Sequence, residues 1–244
     1  MNLSEQRRAI RPLLKERDPA DAMDAYYAYH HPDNRTRLVL HPPESTRASG
    51  YVAISRTGID LFRPLLTMRL PADQEEAVAL IYRALPPGAG VFISSPADYG
   101  PLLYALFEVQ VAQNLHLYRL DPADYEPEIN VLVTRATTFD GLPRFQIRAT
   151  HPGAGDELAA SASLNWQSPG FAEIAVGTQP QYRQRGWGKS VVSALSGYVL
   201  ESGRIPLYVV AEDNEASISL ARRVGFRDTG VRRLLLEATL RPQP

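Results

Sequence analysis

The sequence predicts an α+β fold built twice in tandem, each copy a mixed, mainly antiparallel sheet flanked by helices. Three observations predict it. Short apolar runs of strand length alternate with runs of helical spacing. The same order, strands, helix, strand, helix, strand, occurs in both halves of the 244 residues. Between the halves lies an acidic, proline-bearing stretch, DPADYEPE over 121–128, with the composition of a connector. The expected domains are 1–125 and 128–244, and a chain of this length can bury a core in each.

The elements follow in order. Residues 3–29 are polar with scattered apolar positions and predict two short helices broken around Asp18 and Pro19. TRLVL ending at Leu40, YVAIS from Tyr51 and RPLLTMRL ending at Leu70 predict strands. Pro71 and Asp73 open a helix whose apolar side is Val78, Leu80, Ile81 and Leu85. VFISS is a strand, PLLYALFEVQ has helical spacing, and HLYRL returns to strand. In the second half NVLVTRA, RFQIRAT, ELAASASLNW and FAEIAVGT predict an antiparallel meander, with turns at Asp140-Gly141, Pro152-Gly153 and Pro169-Gly170. A glycine-bearing loop then precedes a helix marked by Val191, Leu195 and Tyr198. PLYVV is a strand, NEASISLARRVG a helix ended by Gly225, and FRDTGVRRLLLEATL a closing strand pair.

Composition narrows the function classes. Hydrophobic residues are 44% and charged residues 22%, as in ordinary globular proteins. With 26 basic and 27 acidic residues there is no excess positive field, so neither nucleic acid nor an anionic membrane is an expected partner. The absence of cysteine removes disulfides, thiolate nucleophiles and cysteine metal sites. The five histidines have no metal-like spacing, and no metal is expected. The N-terminal residues lack the apolar core of a signal peptide, so the expected compartment is cytoplasmic.

The chemistry concentrates in PQYRQRGWGKS, residues 180–190. Gly188, Lys189 and Ser190 end it like a nucleoside-triphosphate loop, but that motif needs glycine where Arg183 stands, so such a binder is a distant expectation. A strand, then a glycine loop, then a helix start also forms an anion site from backbone N–H groups and the helix dipole. Gly186 and Gly188 let the backbone approach, and Arg183, Arg185 and Lys189 add cations. The following helix carries no carboxylate before Glu201, whereas the corresponding helix of the first half opens with Asp73, Glu75 and Glu76. A pyrophosphate is therefore expected in the second half only.

Arg183-Gln184-Arg185-Gly186-Trp187-Gly188 resembles the [Q/R]-x-x-G-x-[G/A] motif of the GNAT superfamily of acyl-CoA-dependent N-acetyltransferases. DNEASISLARRVGF, residues 213–226, resembles that family's second signature, N-x-x-[S/A]-x-x-L-Y-x-x-x-G-F. The resemblance implies a tandem arrangement with a degenerate N-terminal half and a C-terminal copy carrying the cofactor loop. The implied cofactor is acetyl-CoA or another acyl-CoA. Its pantetheine and thioester carbonyl would be held by backbone at Val176, Gly177 and Thr178, and its pyrophosphate by 183–190, including Gln184, Lys189 and Ser190. Asn214 and Ser217 match positions that approach the cofactor, although either residue also suits a helix start. Trp187 stands where an apolar anchor is usual. Glu173 is the candidate catalytic base, since an amine must lose its proton to attack. It lies one residue nearer the loop than the family position, Ala172, and one residue reverses a strand side chain's face unless a bulge restores it. The tyrosine that often protonates the leaving thiolate falls at Ala221.

The implied activity is transfer of an acetyl group to a primary amine of a small molecule or amino acid. GTQPQYRQRG also resembles the loop of glycine N-acyltransferases, which points the same way. The family's two helices after the first strand are missing from the second half, and the degenerate half is expected to supply the wall they normally form. The alternative is a non-catalytic acyl-CoA-binding or sensing protein, motivated by Ala221 and the offset of Glu173.

Overall fold

The computed structural model describes residues 1–151 and 155–243, so the Pro152-Gly153 turn lies outside the described residues. The chain divides into two compact units, Met1–Leu115 with Arg232–Pro244, and His116–Val231.

The first unit opens with α1 (Leu3–Ala9), started by a reciprocal Asn2–Glu5 capping box. It continues through α2 (Ala22–Ala25) and a wider turn over Tyr26–His30. Strands β1 (Thr36–His41), β2 (Gly50–Ser55) and β3 (Leu65–Arg69) pair antiparallel in succession. Helix α3 (Gln74–Ala84) then returns the chain to β4 (Gly90–Pro96), parallel to β3. Helix α4 (Gly100–Leu106) ends earlier than its spacing predicts, and Phe107 already begins β5 (Phe107–Arg119). The β-branched Val109 and Val111, alternating with polar residues, suit a pleated strand better than a helix turn.

Alternation along this sheet divides its faces. Val52, Leu66, Met68 and Ile93 pack against Leu80, Ile81 and Leu103 of α3 and α4. On the other face Tyr51 and Ala53 meet α1 and α2. That second face holds a buried ion network absent from the sequence reading. Asp24, fully buried, accepts from Arg233 Nη2 at 2.8 Å and Nη1 at 3.1 Å and also pairs with Arg69. Arg69 reaches Asp21 as well, and Arg233 Nε donates to Ser94 Oγ at 3.2 Å.

The second unit is the expected meander: β6 (Thr134–Thr137), β7 (Pro143–His151), β8 (Gly155–Gln167) and β9 (Phe171–Thr178), antiparallel in order. Strand β6 is shorter than predicted, because 130–133 run outside the ladder. Helix α5 (Trp187–Glu201) connects β9 to the parallel β10 (Ile205–Ala211), and α6 (Glu215–Val224) leads to β11 (Arg227–Leu240). Gly225 at φ 105° terminates α6 in the left-handed conformation that glycine adopts without strain. The predicted closing pair is a single strand, since Gly230, at φ 79°, stays within the ladder instead of reversing the chain. Its last residues, from Arg232, belong to the first unit, where Arg233–Thr239 pair with β4.

The 121–128 stretch is not a free connector. Tyr125 Oη donates to the carbonyl of Ser193 at 2.9 Å, Glu128 N to Ser193 Oγ at 3.1 Å, and Asn130 N to Ser190 Oγ at 3.4 Å. The small residues Ser190, Ser193 and Gly197, spaced along one side of α5, make room for it. A Cβ on Gly197 would stand 2.5 Å from Tyr125 Oη.

Candidate active site

Strands β9 and β10 are paired only at Ile205↔Phe171, Pro206↔Ala172 and Leu207↔Glu173; beyond Glu173 they separate. Gln179 N donates to Ala159 O at 2.9 Å, so by antiparallel alternation the peptide groups of Ala175 and Gly177 turn to β8, while those of Ile174, Val176 and Thr178 turn to β10. Pro206 O accepts from Leu120 N at 3.1 Å, which turns Pro206 away from β9 and leaves the Val209 peptide facing the opening. The gap is therefore a wedge lined by backbone donors and acceptors that lack a strand partner. The peptide groups of Val176 and Thr178 face it. Gly177 does not, because its peptide faces β8.

The wide end of the wedge leads to α5. Gly186, at φ 76°, starts this helix with no side-chain cap and no acid in its first turn. The first N–H groups of a helix have no partner within it, so this terminus presents free donors and the positive end of the dipole. Gly188 packs closely, since a Cβ there would lie a tight 3.1 Å from Thr178 Oγ1 and 3.5 Å from Leu220 Cδ2. The start of α3 is closed instead, by Asp73 Oδ1 accepting from Glu76 N at 3.0 Å.

The loop cations divide. Arg183 and Arg185 are exposed and form no ion pair with any described residue. Arg183 Nε reaches Thr178 O at 3.4 Å, and Arg185 lies 5.4 Å from both ring centroids of a stacked Tyr182–Trp187 pair. Trp187 is thus a packing anchor. Gln184 sits exposed at the loop tip with φ 61°. The side chains of Lys189 and Ser190 are engaged elsewhere. Lys189 is ion-paired with Glu128, and its ammonium holds that carboxyl below the usual range. Ser190 is buried, its hydroxyl occupied by Asn130 N, because the helix turns it toward the 121–130 segment.

On α6, Asn214 Oδ1 caps the helix by accepting from Ser217 N at 3.1 Å. The Ser217 hydroxyl lies 2.7 Å from that of Tyr208, the first residue of β10 past the last β9 pair. Burial pushes the Tyr208 hydroxyl up, and the Ser217 contact partly offsets this. Ala221 is fully buried in the core below.

Glu173 closes the narrow end of the wedge. Ala172 and Ile174 pack in the core with Val191, Val192 and Leu195 of α5, so Glu173 projects from the opposite face. It is buried at 7% exposure, accepting from Trp166 Nε1 at 2.7 Å and Asn165 Nδ2 at 2.6 Å. The register of β8 slips between Leu164 and Trp166, which brings both donors to one carboxylate. Asn165 and Trp166 escaped the sequence reading because a bulge leaves no periodic signal. So did Glu157, whose carboxylate holds the loop through Gln181 Nε2 and Tyr182 Oη, both at 3.0 Å.

A buried, hydrogen-bonded carboxylate, a backbone-lined wedge and an uncapped glycine helix start occur together. The fold is that of a tandem GNAT protein. A family model described as FR47-like protein matches residues 158–234, which span the wedge, the loop and α6. The chain is similar over its whole length to a tandem GNAT protein from the clavulanic acid biosynthesis pathway, with TM-score 0.62, 15% identity, and coverage of 100% of this chain and 96% of that one. It also resembles a GCN5-related N-acetyltransferase from Kribbella flavida (TM-score 0.61, 17% identity, 91% and 96% covered). A Drosophila protein matches with TM-score 0.70 and 12% identity over 97% of this chain and 95% of its own. At these identities the likeness is one of fold. No curated protein matches the sequence significantly. Among the described residues no helix is long and apolar enough to cross a membrane, and no cluster of side chains is arranged to hold a metal ion.

Proposed function

We propose that the second unit transfers an acyl group, acetyl in the simplest case, from acyl-CoA to the primary amine of a small molecule. The observation that carries this reading is the wedge beyond Glu173, opening directly onto an uncapped helix start. Its residues fit the cofactor: Gly186 and Gly188 leave the N–H groups of Trp187, Gly188 and Lys189 open to a pyrophosphate, with Arg183 and Arg185 beside them. Val176 and Thr178 offer peptide groups to the pantetheine amides and the thioester carbonyl. Backbone donors fixed by a sheet stabilise developing negative charge on that oxygen without reorganising.

Bound acyl-CoA supplies the activated thioester. Glu173 takes the proton that an ammonium near pKa 10.4 must lose before it attacks. Trp166 and Asn165 are positioning residues that hold its carboxylate at the vertex. With Ala221 offering no hydroxyl, water or the Ser217–Tyr208 pair would supply the proton for the leaving sulfur.

The buried Ala221 favours one alternative, an acyl-CoA-binding protein without turnover. Two measurements separate the readings. Calorimetry with acetyl-CoA on the wild type and on a Gly186→Glu, Gly188→Glu variant should show binding that is lost in the variant. Thiol release in the presence of an amine panel should then distinguish enzyme from sensor. No binding by the wild type sinks both readings; binding without thiol release leaves the sensor.

A further inference from the structure

The sheet face that carries Glu173 has a second charged group on it, and that group lacks a partner. Phe145 and Ile147 of β7 turn toward α5, where Phe145 lies 5.9 Å from the Tyr198 ring and Ile147 is in the core. Arg144 and Gln146 therefore turn the other way. The register sets Arg144 opposite Ser163 and Gln146 opposite Ser161 on β8, and these opposite Ala175 and Gly177 on β9. Glu173 is the next residue on that side of β9. The result is a strip of small side chains, with a carboxylate at one end and a guanidinium across from it.

The other arginines of this meander are engaged. Arg135 lies over the Tyr198 ring at 4.4 Å, and Arg148 Nη2 donates to Asp156 O at 2.9 Å. The Arg144 side chain forms no hydrogen bond or ion pair with any described residue, and its Nε is buried. The terminal nitrogens are not among the buried atoms, so a guanidinium engaged by no described residue beside a strip of small side chains is open to an external acceptor.

The spacing defines that acceptor. Arg144 and Glu173 stand two strands apart, roughly 10 Å, and one same-face step apart along the strand, about 7 Å. That spacing, spanned from its two ends by a long arginine stem and a shorter glutamate, leaves room for a compact molecule, with an amine at the Glu173 end and an anion at the other. A planar guanidinium matches a carboxylate in a two-bond fork. Ser161, Ser163, Ala175 and Gly177 leave the floor between them free of bulk.

We infer that Arg144 is the carboxylate anchor of the acceptor site, so that the amine acylated by this protein is an amino acid. The inference rests on the acyl-transfer reading above. On it, the proton the ammonium loses before attack leaves through Glu173, the amine nitrogen forms the new amide bond at the thioester carbon as the C–S bond breaks, and the proton the nitrogen then sheds is balanced by one taken up by the departing sulfur, while Arg144 holds the carboxylate in place.

The test compares amino acids with their carboxamides as acceptors, using acetyl-CoA and measuring kcat/KM by thiol release. The wild type should prefer the carboxylate by on the order of 10- to 100-fold, the range of a charge-assisted hydrogen bond. Arg144→Gln should erase that preference mainly through KM, Arg144→Lys should restore part of it, and both should bind acetyl-CoA as the wild type does. Equal use of acids and amides by the wild type overturns the assignment without any variant. So does a preference that survives in Arg144→Gln. If acetyl-CoA binds but no amine of either kind is acylated, the acyl-transfer reading fails, and this one fails with it.

Discussion

Replacing Asp24 by alanine tests whether the buried ion network holds the first unit together. Asp24 is fully buried and Arg233 is 3% exposed, and the two meet in a fork, Nη2 to Oδ1 at 2.8 Å and Nη1 to Oδ2 at 3.1 Å. Removing the carboxylate leaves Arg69 its pair with Asp21, but leaves Arg233 only Ser94 at its Nε. An uncompensated buried guanidinium costs about 3–5 kcal/mol, a large part of the roughly 5–15 kcal/mol that keeps a domain folded. The partners can be removed together. Asp24→Ala with Arg233→Met takes both charges out of the core and should recover at least half of the loss, because the isolated charge rather than the missing pair carries most of the penalty. Urea denaturation followed by far-UV circular dichroism reads both variants against the wild type. A loss under about 1 kcal/mol in Asp24→Ala, or a double variant less stable than the single one, refutes this account.

Other predictions address single elements. His31 donates to or accepts from Thr36 Oγ1 at 2.7 Å, and burial lowers its pKa from 6.5 to about 4. The unfolded chain therefore binds the extra proton first, and stability should fall as pH drops from 6.5 toward about 4. A His31→Gln variant should show a shallower fall in denaturation midpoints over that window; an unchanged slope would exclude His31 as the cause. Gly197→Ala should destabilise the second unit by about 1–3 kcal/mol through its clash with Tyr125, and the cost should shrink in a Tyr125→Phe background. Equal losses in the two backgrounds would separate Gly197 from the 121–130 segment. Glu173→Gln should lower kcat/KM for amine acylation by about 100-fold or more while sparing acetyl-CoA affinity. A variant with wild-type turnover would remove Glu173 from the mechanism.

The features readable from sequence alone are local. The meander of 143–178, the α5 and α6 periodicities, the glycine stop at Gly225 and the acid-free start of α5 each depend on residues a few positions apart. Pattern and capping chemistry report such features directly. The glycine loop and its open helix start were legible for the same reason, since Gly186, Gly188 and the absence of an acid lie within one helix turn. Tertiary structure decided everything that joins distant residues. It buried Ser190 against Asn130, paired Lys189 with Glu128 and joined Asp24 to Arg233 across 209 positions of sequence. It ended the β9–β10 ladder at Glu173, and through the register slip in β8 it brought Trp166 and Asn165 to that carboxylate. It also laid Arg144 on the face of Glu173, two strands away. Side-chain direction in a sheet follows from register, and register is set by packing the whole apolar face at once, which no short window of sequence contains.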